Sequence, residues 1–389
     1  VGGTRRPILL GVAALAVAAA VAPSLPSYPL TLLTQAAIMA ILAMSLDILL
    51  GYTGLPSLGH AAYFGTAAYA VGILATERQA GFVTCLVAGV LLAAVTAALF
   101  GLIAIRATGT YFLMITLALG MVVWGLAFRW VSLTKGDNGI AGVPRPELPL
   151  PWSLPAPLPF FYFALVATAL AWAALGTLAR SPFGLTLKGI RESETRMRAL
   201  GYNVWLHKYL AFVIAGGFAG FAGVLWAWYN GFVSPVDVQL VTSVETLLMV
   251  ALGGPGTLAG PALGAAIIVL MKNLVSVYTH RWLLILGAVY IGTIVYAIVR
   301  PPEYLDDVRL RELEMTAAEA RLAQLDYQLC PHCDYEIKAD YLRCPSCMRK
   351  LKERCYSCGK PVDPAWKLCP YCEAEMETPP QQATRRRRR

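Results

Sequence analysis

Ten stretches of this chain are so apolar that lipid, rather than water, is their natural solvent. They are residues 7–22, 30–50, 58–75, 82–105, 110–131, 158–179, 209–229, 241–252, 261–277 and 282–299. A helix needs about 20 apolar residues to cross the hydrocarbon of a bilayer. The segment at 241–252 is short for that, and 7–22, behind Arg5 and Arg6, has the basic and apolar parts of a signal peptide. Six further lipid-length segments and no clear cleavage pattern favour a retained first span. Charge divides the chain in two. Residues 1–301 hold 16 Lys and Arg and 8 Asp and Glu, whereas residues 302–389 hold 16 and 15. The first part is expected to be a polytopic membrane domain and the second a polar appendage.

Cationic loops stay on the cytoplasmic side. With the N-terminus inside, ten spans place Arg5, Arg6, Arg106, Arg300 and the six cations of residues 180–208 inside. Arg78, Arg129, Lys135, Arg145 and Arg281 fall outside, so ten cations face five in the expected sense. Everything beyond Arg300 is then cytoplasmic. Residues 180–208 are the longest polar run before residue 300, with Arg180, Lys188, Arg191, Arg196, Arg198 and Lys208 against Glu192 and Glu194. Residues 193–200 read as one or two turns of helix that Gly201 stops, with Gly184 and Gly189 punctuating the approach. Such an element is either a handle for a soluble partner or only a topology anchor.

Two connections are nearly uncharged and rich in glycine. One carries Gly51, Gly54, Gly59 and His60, the other Gly253, Gly254, Gly256 and Gly260, and each leads into a small-residue helix. Non-helical backbone at membrane depth must be covered by protein or line a cavity. Broken segments in corresponding positions point to a transport path; tight helical hairpins are the competing reading. Asp47, Glu245, Lys272 and His60 are the ionisable candidates within the spans. Most lie near span ends, where a structural role is the simpler reading. No phosphate-binding loop of the form GxxxxGK[ST] occurs, so a driven transporter would need its motor on another polypeptide.

Five blocks carry a resemblance. They are SLDILLGYTGLPSLGHAAYFG (residues 45–65), TGTYFLMITLA (108–118), GDNGIAGVP (136–144), GIRESETRMRALGYNV (189–204) and GGPGTLAGP (253–261). In this order, over roughly residues 30–302, the chain resembles branched-chain amino-acid ABC transporter permeases, in particular those of the M type. The resemblance implies a permease core shared with a sister permease, two cytoplasmic ATPases that bind the nucleotide, and an extracytoplasmic substrate-binding protein. It assigns ATPase coupling to Glu192, Glu194, Ala199 and Gly201. Asp47 departs from the family pattern, which more often has a neutral residue there, and leaves the role of that span's inner end open.

The tail departs as well. Residues 303–328 read as a charged helix with a weak apolar stripe at Leu310, Leu313, Ala317, Ala320 and Ala323. After it, Cys330, Cys333, Cys344 and Cys347 are followed, with a repeat of 25 residues, by Cys355, Cys358, Cys369 and Cys372. Paired Cys-x2-Cys knuckles offer four thiolates to a tetrahedral structural Zn²⁺. A short polar module with few large apolar residues needs such a staple, and a reducing compartment disfavours disulfides. The repeat resembles a double zinc ribbon with two zinc ions. Pairing within each repeat is the simpler arrangement, interleaved pairing the other. His332, inside a knuckle, reads as a surface residue. Arg385–389 end the chain and could attract anionic lipid headgroups. Outside them the tail is not basic enough for nucleic acid to be expected as a partner.

The expected architecture is thus an all-α polytopic membrane protein of about ten helices followed by a small cytoplasmic zinc-ribbon module. The expected domains are a transmembrane permease domain at 1–301, a helical linker at 302–328, a double ribbon at 329–375 and a disordered Arg-rich tail at 376–389. The expected function is that of a non-enzymatic permease subunit of an importer in a prokaryotic plasma membrane, with both termini cytoplasmic. A stand-alone carrier or channel with a regulatory ribbon tail is the alternative.

Overall fold

A computed structural model describes residues 17–146, 156–278, 287–288, 291–292, 327–338, 341–362, 368–372 and 374–375. The chain divides into two compact units, Val1–Val295 and Tyr296–Arg389. Most of the expected first and tenth spans, the expected helical linker up to residue 326 and the tail from residue 376 lie outside the described residues.

The first unit is helical. Its main helices among the described residues are α1 (Ser27–Asp47), α2 (His60–Glu77), α3 (Phe82–Ala104), α4 (Thr110–Arg129), α5 (Pro157–Arg180), α6 (Pro182–Glu192), α7 (Glu194–Ala199), α8 (Val204–Asn230), α9 (Leu240–Gly253) and α10 (Ala259–Tyr278). Among the described residues, five segments are long and apolar enough to cross a membrane: α1 with the turn after it (Ser27–Thr53), α3, α4, α5 and α8. Where ten spans were expected, α2 has only 18 residues, and α9 and the apolar part of α10 are shorter helices. Those helices stand near the expected places, where sequence hydropathy located them.

Helix α1 is apolar all round, as a helix enclosed by others must be. It packs on α5, α8, α9 and α10, and Ile38, Ile41, Leu42 and Met44 on it are wholly buried. Helices α3 and α4 do the opposite. Val83, Leu91, Val95 and Leu99 on α3, and Tyr111, Met114 and Val122 on α4, are exposed. So wide an apolar exterior fits lipid or another subunit rather than water. Helix α8 closes on α3 through small residues. A methyl at Gly216 would overlap Ala97, and one at Gly220 would overlap Ala93. This is the small-xxx-small packing of membrane helices. A short antiparallel pair, β1 (Ile140–Ala141) with β2 (Phe232–Val233), ties the loop after α4 to the end of α8.

The second unit holds two hairpins, β3 (Tyr327–Leu329) with β4 (Glu336–Lys338), and β5 (Glu353–Arg354) with β6 (Pro361–Val362). Tyr327 and Gln328 were expected to end the helical linker. They instead pair with Lys338 and Ile337, because the knuckle at Cys330 turns the chain back on itself.

Candidate functional site

Three segments meet at the C-terminal end of α1. After Asp47 the helix widens into a π-helical turn, Ile48–Thr53, closed by Gly54 at φ +72°. The Asp47 side chain is buried, and its two oxygens accept from the Gly256 amide at 2.7 Å and the Leu258 amide at 3.1 Å. Gly254, Gly256 and Leu258 all have positive φ, the conformation that aims those amides at one carboxylate. Gly51 allows the approach, since a methyl there would overlap both Asp47 and the Gly256 backbone. Arg191, near the end of α6, donates to the Gly51 carbonyl. Lys188, one turn earlier, lies over the Tyr52 ring at 5.0 Å. Both cations also act electrostatically on Asp47.

Sequence reasoning did not join these residues to one another. It left the role of Asp47's span end open and named neither Arg191 nor Lys188 as a site residue. It also treated residues 180–192 as an approach broken by glycines, whereas α6 runs through both of them. Gly184 lets the helix start close against Ala179, and Gly189 lets Met197 lie across it. The available signals were Ser181 and Pro182, which open α6 as N-cap and first residue, and Gly184, Leu187 and Ile190, its buried positions at a spacing of three.

The remaining glycines of the two connections make close contacts. Gly253 and Gly260 touch backbone to backbone and close the α9–α10 turn. Gly59 lies against Thr116 of α4, and the Leu58 amide donates to Thr116 Oγ1 at 3.2 Å. Leu55, Ser57 and Gly59 are buried although non-helical, which is how such backbone is tolerated inside a membrane bundle. His60 is fully buried and its Nε2 lies 2.8 Å from Ser45 Oγ. Ser45 Oγ also lies 2.7 Å from the Leu42 carbonyl.

The four residues assigned to coupling fall on α7 and its ends. Ser193 caps the helix, accepting from the Arg196 amide at 3.3 Å. The Gly201 amide donates to Arg198 and the Tyr202 amide to Met197, a Schellman closure that sets Gly201 at φ +87°. Glu192, Ala199 and Gly201 are exposed, beside Leu200 and Tyr202. Glu194 is different. It pairs with the buried Lys208 and with Arg198, and so braces α7 against the start of α8.

In the second unit, Cys330, Cys333, Cys344 and Cys347 form one cluster and Cys355, Cys358, Cys369 and Cys372 another, each with all sulfurs within 4.8 Å. Sulfur separations are 3.7 Å for Cys330–Cys347, 3.6 Å for Cys333–Cys344, 3.6 Å for Cys355–Cys372 and 3.7 Å for Cys358–Cys369. A disulfide would need about 2.05 Å. A Zn–S bond of about 2.3 Å in a tetrahedron gives sulfur edges of about 3.8 Å, so both clusters fit that ion. The Cys358 and Ser357 amides point at Cys355 and, against burial, bring its thiol down to about 6. His332 is exposed, with Nδ1 3.1 Å from an Arg349 nitrogen, outside the sulfur cluster.

Residues 28–298 match the family described as the branched-chain amino acid transport system permease component. The chain belongs to that permease family. Residues 330–373 match the double zinc ribbon. The permease is 30% identical to the high-affinity branched-chain amino acid transport system permease protein LivM of Salmonella typhimurium (strain LT2), over 74% of this chain and 72% of that protein. Identity and coverage are the same for LivM of Escherichia coli (strain K12). It is 25% identical to the autoinducer 2 import system permease protein LsrC of Salmonella typhi, over 69% of this chain and 74% of that protein. No solved structure matches significantly. These relatives are transport permeases, not enzymes.

Proposed function

We propose that this permease forms, with a sister permease, the membrane path of an ATP-driven importer for branched-chain amino acids or related small amino acids and amides. Two cytoplasmic ATPases grip α7 through Glu192, Ala199 and the Gly201 turn, while Glu194 holds α7 on α8. An extracytoplasmic binding protein delivers the substrate. The permease domain spans residues 1–301 of a multi-pass protein in a prokaryotic plasma membrane, with both termini cytoplasmic.

One observation carries this reading. Arg191 on α6 holds the Gly51 carbonyl, and Asp47 in the same turn holds the Gly256 and Leu258 amides. A displacement of α6 and α7 by a nucleotide-driven partner is thereby transmitted to α1, α9 and α10 together. In this account Gly51, Gly54, Gly59, His60, Gly253, Gly254, Gly256 and Gly260 belong to the moving inner end of the path. The two cysteine clusters hold one structural zinc each, which would fold the ribbon as a module for protein contact or regulation. Zinc supplies cross-links there and no chemistry.

The test is co-purification of the tagged permease in mild detergent, with partners identified by mass spectrometry and metal assayed in the same sample. Two ATPases and a second permease are expected, with about two zinc ions per chain. A permease that purifies alone and moves amino acids without ATP would overturn the importer reading in favour of a stand-alone carrier.

A further inference from the structure

A cavity of about 120 Å³ lies between α1, α2, α8, α9 and α10, apart from the Asp47 turn. Its lining combines three charged side chains with a ring of apolar ones. Glu245 on α9 and Lys272 on α10 form an ion pair at 2.8 Å. Asp237, in the short turn before α9, reaches the same space. It is fixed there by Trp226 Nε1 at 2.9 Å and by the Ser234 amide at 2.9 Å. Met39, Phe64, Met249 and Ile268 supply the apolar wall, and each is buried.

Charge within a membrane bundle is costly and, where it faces the interior, marks substrate pathways. An ion pair alone could be a helix–helix tie. Here a second carboxylate faces the same cavity, and the lining carries two negative groups against one positive. That set suits a solute with both an ammonium and a carboxylate. The apolar wall suits a short hydrocarbon chain.

The geometry points to this cavity as a substrate-binding site for a zwitterionic α-amino acid with an aliphatic side chain. The α-ammonium lies between Asp237 and Glu245, the α-carboxylate faces Lys272, and the side chain meets Met249 and Phe64. Binding exchanges the Glu245–Lys272 pair for two pairs with the solute, so each of these half-buried charges keeps a partner. The inference rests on the importer reading and names the place where this chain itself selects the solute.

The test is uptake of mixed amino acids by the reconstituted complex, with the same binding protein in every sample. Ratios within one preparation do not depend on how much complex assembles. Met249→Ala is expected to raise the phenylalanine-to-valine uptake ratio at least five-fold, by enlarging the apolar wall. Glu245→Gln is expected to lower valine uptake relative to its α-hydroxy acid analogue at least ten-fold. Wild-type complex that takes up valine, with both ratios unchanged in the variants, overturns the site while leaving the importer reading standing. Wild-type complex that takes up no amino acid overturns both.

Discussion

The Asp47 carboxylate accepts a 2.7 Å hydrogen bond from the backbone amide of Gly256, 209 residues further along the chain. Its other oxygen takes the Leu258 amide. Asp47→Ala would strip two amides of their partner, at roughly 1–3 kcal/mol each if they stay dry. The variant is expected to melt several degrees below wild type in a detergent thermal-shift assay. Asp47→Asn should fall between the two, because an amide side chain offers one acceptor where the carboxylate offers two.

Gly51 is the steric counterpart of that bond. A methyl there would overlap Asp47 and Gly256 together, so Gly51→Ala is expected to part the two turns and reproduce the Asp47→Ala loss. Combining the two substitutions should cost little more than either alone, since both remove one contact. A double-mutant cycle on melting temperature checks this.

Glu194 carries the charge that balances Lys208, whose side chain is 4% exposed. Glu194→Gln leaves that ammonium unpaired and is expected to destabilise the permease by roughly 2–4 kcal/mol. Adding Lys208→Met should recover most of the loss. If Glu194 served only as a contact for the ATPase, the single variant would keep its melting temperature and the second substitution would restore nothing.

Gly201 sits at φ +87° in the cap of α7. An alanine there strains the backbone by about 1 kcal/mol, small against folding but placed where the partner is proposed to press. Gly201→Ala is expected to leave the melting temperature within a few degrees and to lower substrate-stimulated ATP hydrolysis several-fold, measured on reconstituted complex.

The cysteine clusters predict a stepwise metal content. Cys333→Ser should reduce zinc from about two ions per chain to about one, and pairing Cys333→Ser with Cys358→Ser to none. Because thiolates are the ligands, protons compete with the metal. Zinc should therefore be released as pH falls, as seen by a chromogenic chelator, and retained as pH rises.

Much of this was legible in the sequence for a physical reason. Lipid-length apolar runs and paired cysteine knuckles are local signals, and the described long helices and both clusters stand where those signals lay. The Asp47 node was not legible, because it joins residues 47, 191 and 256 through a backbone carbonyl and backbone amides. Main-chain partners leave no residue-type signature. The charge at Asp47 was visible, but its mate is the positive-φ turn at Gly254 and Gly256, which in sequence reads only as a loop. Helix α6 was missed because glycine usually weakens a helix; here Gly184 and Gly189 are kept for close contact with Ala179 and Met197.

On the proposed mechanism, α6 moves the transport path through Arg191. The most direct measurement is amino-acid uptake and ATP hydrolysis on the same proteoliposomes, comparing wild-type complex with Arg191→Gln. The expected result is hydrolysis within two-fold of wild type and uptake lowered at least ten-fold, as the Gly51 turn loses its grip on α6. Uptake and hydrolysis that remain coupled at the wild-type ratio would contradict the account.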